Sequence, residues 1–106
     1  MDVQFEFCGL AFRWDEEKAR RNIRKHDGIS FERAAEAFFD PFFRIVDASP
    51  GGEARDAVIG RDADGRLLFV VHVEIENDHI RIISARRATR EERSRHDSRP
   101  HQATTR

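Results

Sequence analysis

An apolar stripe at helical spacing, Phe31, Ala34, Ala35 and Phe38, is cut off by Asp40-Pro41 and followed by a succession of β-rich runs. That order constrains the fold more than any other feature of the chain. Residues 43 to 47, 55 to 61, 66 to 76 and 79 to 85 read as strands, with Pro50-Gly51-Gly52, Asp64-Gly65 and Asn77-Asp78 as the turns between them. Helices followed by hairpin-linked strands predict an α+β domain with antiparallel pairing. Upstream, residues 3 to 7 and 10 to 14 alternate well enough for a short strand or hairpin. Asp15 is placed to cap a first helix over 16 to 26, Ser30 a second, and Thr89 with Glu92 forms a capping-box pattern opening a last one. The expected architecture is two N-terminal helices on an antiparallel sheet of about four strands, plus a short N-terminal strand and a C-terminal helix. One domain over 1–97 is expected, with 98–106, rich in Ser, Pro, Gln, Thr and His, as a disordered tail.

In the first helix the apolar stripe is thin, Ala19, Ile23 and His26, and Lys18, Arg20, Arg21, Arg24 and Lys25 make the remainder basic. In the longest strand alternation sets Leu67, Phe69, Val71, Val73 and Ile75 against Leu68, Val70, His72, Glu74 and Glu76. The wholly apolar face is expected to pack on helices, and the mixed face to line a groove.

At 106 residues the chain suits a single core. No apolar run approaches the ~18 residues of a membrane span, and Met1-Asp2-Val3-Gln4 does not open like a signal peptide. A cytoplasmic protein with no membrane contact is expected. Cys8 is the only cysteine, which rules out an internal disulfide, and the five histidines show no metal-ligand spacing. Neither metal nor cofactor is expected. The formal net charge of -1 conceals a basic C-terminal stretch, Arg81, Arg86, Arg87, Arg90, Arg93 and Arg95 among it, against Glu91, Glu92 and Asp97. Arginine far outnumbers lysine, and a guanidinium fork matches phosphate in two places at once.

Trp14-Asp15, Asn22-x-x-Lys25-His26, Ser30-Phe31-Glu32-x-Ala34 and Phe38-Phe39-Asp40-Pro41 together resemble the BrnT family. The second half continues the likeness with Ile59-Gly60-Arg61, Gly65-Arg66-Leu67-Leu68-Phe69-Val70-Val71-His72, Ile80-Arg81-Ile82-Ile83-Ser84-Ala85-Arg86 and Ala88-Thr89-Arg90-x-Glu92-Arg93. The resemblance runs in unbroken order over roughly residues 12 to 94. It implies a RelE-like fold, metal-independent RNA cleavage that inhibits translation, and neutralisation by a BrnA-like antitoxin. That antitoxin would be a ribbon-helix-helix protein through which alone the toxin reaches operator DNA. Two departures stand out. Asp27 is an extra residue where the family commonly has Lys-His-Gly, and His96 lies near a position that is often tyrosine. The chain contains no tyrosine, which excludes the tyrosine general base of some RelE-like relatives.

Metal-free RNA cleavage needs a group to activate the 2'-hydroxyl, donors for charge developing on phosphate, and an acid for the leaving 5'-oxygen. The candidates for catalysis are Lys25, His26, Arg61, His72 and Arg86. His26 stands at a helix C-terminus, where the dipole favours its charged form, but it also continues the helix stripe and would serve equally as a packed histidine. Arg61 follows Gly60, whose lack of a side chain would let a substrate backbone approach. Candidates for RNA binding are Lys18, Arg21, Arg81, Ser84 and Arg90. Phe42 and Phe43 fall outside the helical stripe and are expected to touch a partner. The rival to an endoribonuclease is a module that binds nucleic acid or antitoxin through charge alone.

Overall fold

A computed structural model describes residues 1–49 and 51–98. Pro50 of the expected turn and all but the first residue of the expected tail lie outside the described residues. The chain forms β1 (Asp2–Phe7), β2 (Leu10–Asp15), α1 (Glu16–Lys25), α2 (Phe31–Glu36), β3 (Arg44–Asp47), β4 (Asp56–Arg61), β5 (Leu67–Ile75), β6 (His79–Arg87) and α3 (Arg90–Asp97). A 3-10 turn, Ala37–Phe39, prolongs α2. Among the described residues no helix is long and apolar enough to cross a membrane.

The α+β reading holds, and the strand count does not. One mixed sheet of six strands runs β1-β2-β6-β5-β4-β3. The N-terminal segment is a full hairpin that joins the sheet, because β2 pairs parallel with β6 through Phe12↔Ile80 and Arg13↔Arg81. Every other pairing is antiparallel. A hairpin whose apolar residues Val3, Phe5 and Phe7 all pack against the core buries more surface in the sheet than as a separate ribbon.

The capping signals are realised as the residues require. Asp15 accepts from the Lys18 amide, Ser30 from that of Arg33, and Thr89 and Glu92 close a reciprocal capping box. Asp27 and Gly28 follow α1 with positive φ of 53° and 73°, a left-handed exit that glycine makes easy.

One face assignment is reversed and one is shifted. In β5 the side buried under α2 and its 3-10 extension is the one carrying Leu68, Val70 and His72, continuous with Val58, Ile82 and Ala85. Leu67 and Phe69, opposite Arg61 and Arg86, point to the other face, where α3 lies against β4. An eight-residue helix covers only part of a nine-residue strand, so Val71, Val73 and Ile75 stay half-buried although wholly apolar. In α1 the stripe is shifted rather than reversed: Ala19 packs against the core and His26 is half-buried, but Ile23 is exposed and the residue α1 buries is Asn22.

Asn22 explains how so polar a helix is held. Its side-chain amide donates to the carbonyls of Ala85 (2.8 Å) and Ile29 (3.0 Å), and its oxygen accepts from the Ala85 amide at 3.1 Å. β2 runs beside β6 only as far as Arg81. Beyond that, Ala85 has backbone groups facing away from β5 with no strand to meet them, and Asn22 bonds both as a neighbouring peptide would.

Candidate functional site

A cleft of about 670 Å3 opens where four pieces of chain meet. They are the tip of the β1–β2 hairpin with Phe7 and Cys8, the 3-10 turn with Phe39 and Asp40, the end of β4 with Arg61, and the end of α3 with His96 and Asp97. The Phe7 and Phe39 rings meet edge-to-face at 5.3 Å between centroids. Arg61 donates through Nη1 to the Gly65 carbonyl at 3.0 Å, which fixes its stem along the turn into β5.

Asp40 is the hub of this region. Its Oδ1 accepts from the Phe42 amide, and its Oδ2 from the Arg61 amide and from His96 Nε2, all at 2.9 Å. Burial pushes its carboxyl up, but the three bonds outweigh this and hold it below the usual range. The other ring nitrogen of His96 meets Asp97 Oδ1 at 3.0 Å, and that bond keeps the Asp97 carboxyl low as well. Each ring nitrogen of His96 thus faces a carboxylate oxygen. His96 is 3 % exposed. The arrangement latches α3 to the turn before β3 and to β4. Because the two carboxylates meet opposite nitrogens, they do not converge on a common point. Among the described residues no group of three His, Cys, Asp or Glu side chains is placed to hold a metal ion.

The residues singled out from the sequence are spread over three places. Arg61 and Arg86 share a sheet face, with β5 between their strands, and strand spacing alone separates them by roughly 10 Å. Arg86 is engaged by the protein. Its guanidinium meets Glu92 through two bonds of 2.9 Å and lies 4.3 Å from the centroid of Phe69. His72 is on the opposite face, buried, with Nδ1 3.2 Å from the Val70 carbonyl and its ring against Phe38. Burial lowers its pKa, so it is uncharged at neutral pH. Lys25 and His26 end α1, Lys25 exposed and His26 half-buried with no hydrogen bond to its ring among the described residues. An ion pair of 3.4 Å between Asp27 and Arg87 holds this corner to the end of β6.

Lys18 and Arg21 are exposed on α1 and Arg90 on α3, each without an ion pair among the described residues. Arg81 is paired with Asp2 at 2.5 Å, and half-buried Ser84 stands opposite Val71. Gly60 does face a close backbone, but it is the chain's own. A Cβ there would collide with the Ala37 carbonyl. Asn22, Asp40 and Asp97 escaped the sequence reading as functional positions. The first two stood in its motifs, Asn22 three residues before Lys25 and Asp40 before Pro41, but partners 63 and 56 residues away leave no local signal.

The described residues form a small α+β domain in which the basic helix α1 lies against β2 and β6. A more particular assignment comes from comparison with known families. Residues 14–92 match the family model described as "Ribonuclease toxin, BrnT, of type II toxin-antitoxin system", and the chain belongs to that family. A search of curated proteins finds no match. The matched span begins at Trp14 and ends at Glu92. The hairpin tip and the His96–Asp97 end of α3 lie outside it.

Proposed function

We propose that the chain is an endoribonuclease that cuts RNA without a metal ion in the cytoplasm, arrests translation, and is silenced by a BrnA-like antitoxin through which it reaches operator DNA. The observation that carries the RNA reading is on α1. Lys18, Arg21 and Lys25, at i, i+3 and i+7, share one exposed helix face, and among the described residues only Lys18 has an acidic neighbour, Asp15, whose carboxyl it helps to hold low. His26 follows Lys25 at the C-cap of α1, on the stripe side of the helix, half-buried and with no hydrogen bond to its ring among the described residues. RNA laid along α1 would have its phosphates met by these cations and, beyond them, by Arg90. Lys25 would offset charge developing at the scissile phosphate while His26 moves the proton of the attacking 2'-hydroxyl or the leaving 5'-oxygen. The products would be a cyclic phosphate and a 5'-hydroxyl. Arg61 keeps donors beyond its bond to Gly65 and is the second candidate for the phosphate. His72, Arg81, Ser84 and Arg86 then support the fold around the site.

The non-catalytic reading has one observation in its favour: Arg86 and His72 are already occupied by partners within the protein. Incubation of purified protein with single-stranded RNA in excess EDTA separates the two. Cleavage that persists in EDTA and disappears in Lys25→Ala and His26→Ala, with unchanged circular dichroism, supports the enzyme. A gel shift without cutting establishes the binder. Each of Lys18→Ala and Arg21→Ala should reduce the salt slope of RNA binding by about 0.7.

A further inference from the structure

The cations proposed to meet RNA are interrupted at one place. Lys18, Arg21 and Lys25 run along α1, and Arg90 opens α3. Between these two stretches stands Arg87, the last residue of β6. Strand alternation fixes its direction. Arg87 pairs with Leu68, whose side of the sheet carries the core against which Ala19 of α1 packs. Arg61, opposite Leu67, and Arg86, opposite Phe69, point to the other side. Of the three, Arg87 is the one that extends the α1 face toward Arg90.

Arg87 is already engaged. Its Nε lies 3.4 Å from Asp27 Oδ2, and Asp27 directly follows His26 and stands two residues beyond Lys25. Folding stability does not account for the pair. The Arg87 and Asp27 side chains are 57 % and 68 % exposed, and an ion pair in that setting contributes little. Asp27 also holds a positive φ of 53°, a backbone state that glycine adopts freely and that disfavours an L side chain. What the carboxylate changes is the charge that a phosphate meets. It neutralises the arginine that links the two stretches of cations, and it does so beside the histidine proposed to move the proton.

We infer that Asp27 stands in for a phosphate. It occupies the guanidinium of Arg87 in the free protein, and a phosphate of the RNA displaces it on binding, so Arg87 is a further RNA-binding residue and Asp27 its internal competitor. The exchange needs no refolding. Both side chains reach into solvent, and among the described residues the Asp27 carboxylate has no other hydrogen bond or ion pair to lose. The guanidinium fork suits phosphate as it suits carboxylate. Binding therefore replaces one charged partner with another, and the gain from Arg87 is reduced by the loss of the pair. The inference rests on the RNA reading proposed above.

The test is a double-mutant cycle of Asp27→Asn and Arg87→Ala in the full chain. The probe is a single-stranded 2'-O-methyl RNA of mixed sequence, which keeps the phosphates and lacks the attacking hydroxyl. Asp27→Asn should bind it roughly 2–5-fold more tightly at ~0.1 M salt, the range of an exposed ion pair, and steepen the salt slope by about 0.7. In the Arg87→Ala background the same substitution should change affinity by less than about 1.5-fold. Asp27→Gly, which also suits the left-handed backbone, should match Asp27→Asn. An equal gain with and without Arg87 shows that Asp27 acts as a diffuse charge and overturns the competition. A gain confined to Asp27→Gly traces to the backbone and overturns it as well. Lys18→Ala and Arg21→Ala separate the two levels: if neither weakens RNA binding, the RNA face on α1 falls and this inference with it. If they weaken it while Asp27→Asn leaves affinity and slope unchanged, the role of Asp27 falls alone.

Discussion

Replacing Asn22 with alanine removes three hydrogen bonds of 2.8–3.1 Å from a residue that is 5 % exposed. It leaves the Ala85 amide, the Ala85 carbonyl and the Ile29 carbonyl without that partner. Each buried polar group so orphaned costs about 1–3 kcal/mol, the amide at the upper end because a carbonyl tolerates partial satisfaction better. With the amide at about 3, each carbonyl at about 1 and the small cavity added, the loss is roughly 5–6 kcal/mol, a large part of the ~5–15 kcal/mol that holds a domain of this size. The melting temperature should fall by roughly 15 °C or more. Asn22→Asp discriminates this account from a simple volume effect. The carboxylate keeps the acceptor for the Ala85 amide but turns an oxygen toward two carbonyl oxygens, so it should be nearly as damaging as alanine although isosteric. Urea and thermal unfolding by far-UV circular dichroism measure both variants, and hydrogen exchange should show the Ala85 amide losing protection in Asn22→Ala. An Asn22→Asp protein within ~0.5 kcal/mol of the unaltered chain would refute the reasoning, since surface-like tolerance is incompatible with this network.

The latch predicts a pH dependence. The Asp40 carboxyl is lower when folded than its ordinary 3.8, so its contribution is complete above that value and is lost as pH falls through the folded one. The urea midpoint should therefore drop between pH 5 and pH 3 in the unaltered chain and drop less in Asp40→Asn, measured side by side. Arg86→Ala should lower stability by about 1–2 kcal/mol through loss of the paired bonds to Glu92 and the contact with Phe69, and should reduce RNA cleavage only as far as α3 loosens. Cleavage abolished at an unchanged melting temperature would instead mark Arg86 as a phosphate ligand. Gly60→Ala should destabilise by roughly 1–3 kcal/mol because its Cβ meets the Ala37 carbonyl, and a neutral result by thermal unfolding would show that the 3-10 turn moves aside at little cost.

Local chemistry carries its message in adjacent residues, and such features were legible from the sequence alone. Asp15, Ser30 and Thr89 cap helices because each bonds an amide three residues on, and Asp40-Pro41 stops α2 and its extension in the same local way. The basic side of α1 follows from 3.6-residue periodicity. The family likeness likewise lay in ordered short motifs that a linear reading can see. Which face of β5 is buried was not decidable in this way, because both faces offer apolar residues and only the placement of α2 over one and the short α3 over the other chooses between them. The same holds for Asn22. Asparagine on a charged helix reads as solvated until β6 is found beside it with two unmet backbone groups. His96, Asp40 and Asp97 become one latch only when the end of α3 is brought back onto the turn before β3, 56 residues earlier in the chain. Hydrogen bonds between distant residues depend on a few tenths of an ångström in three dimensions, and that precision belongs to the packed tertiary structure rather than to any local pattern.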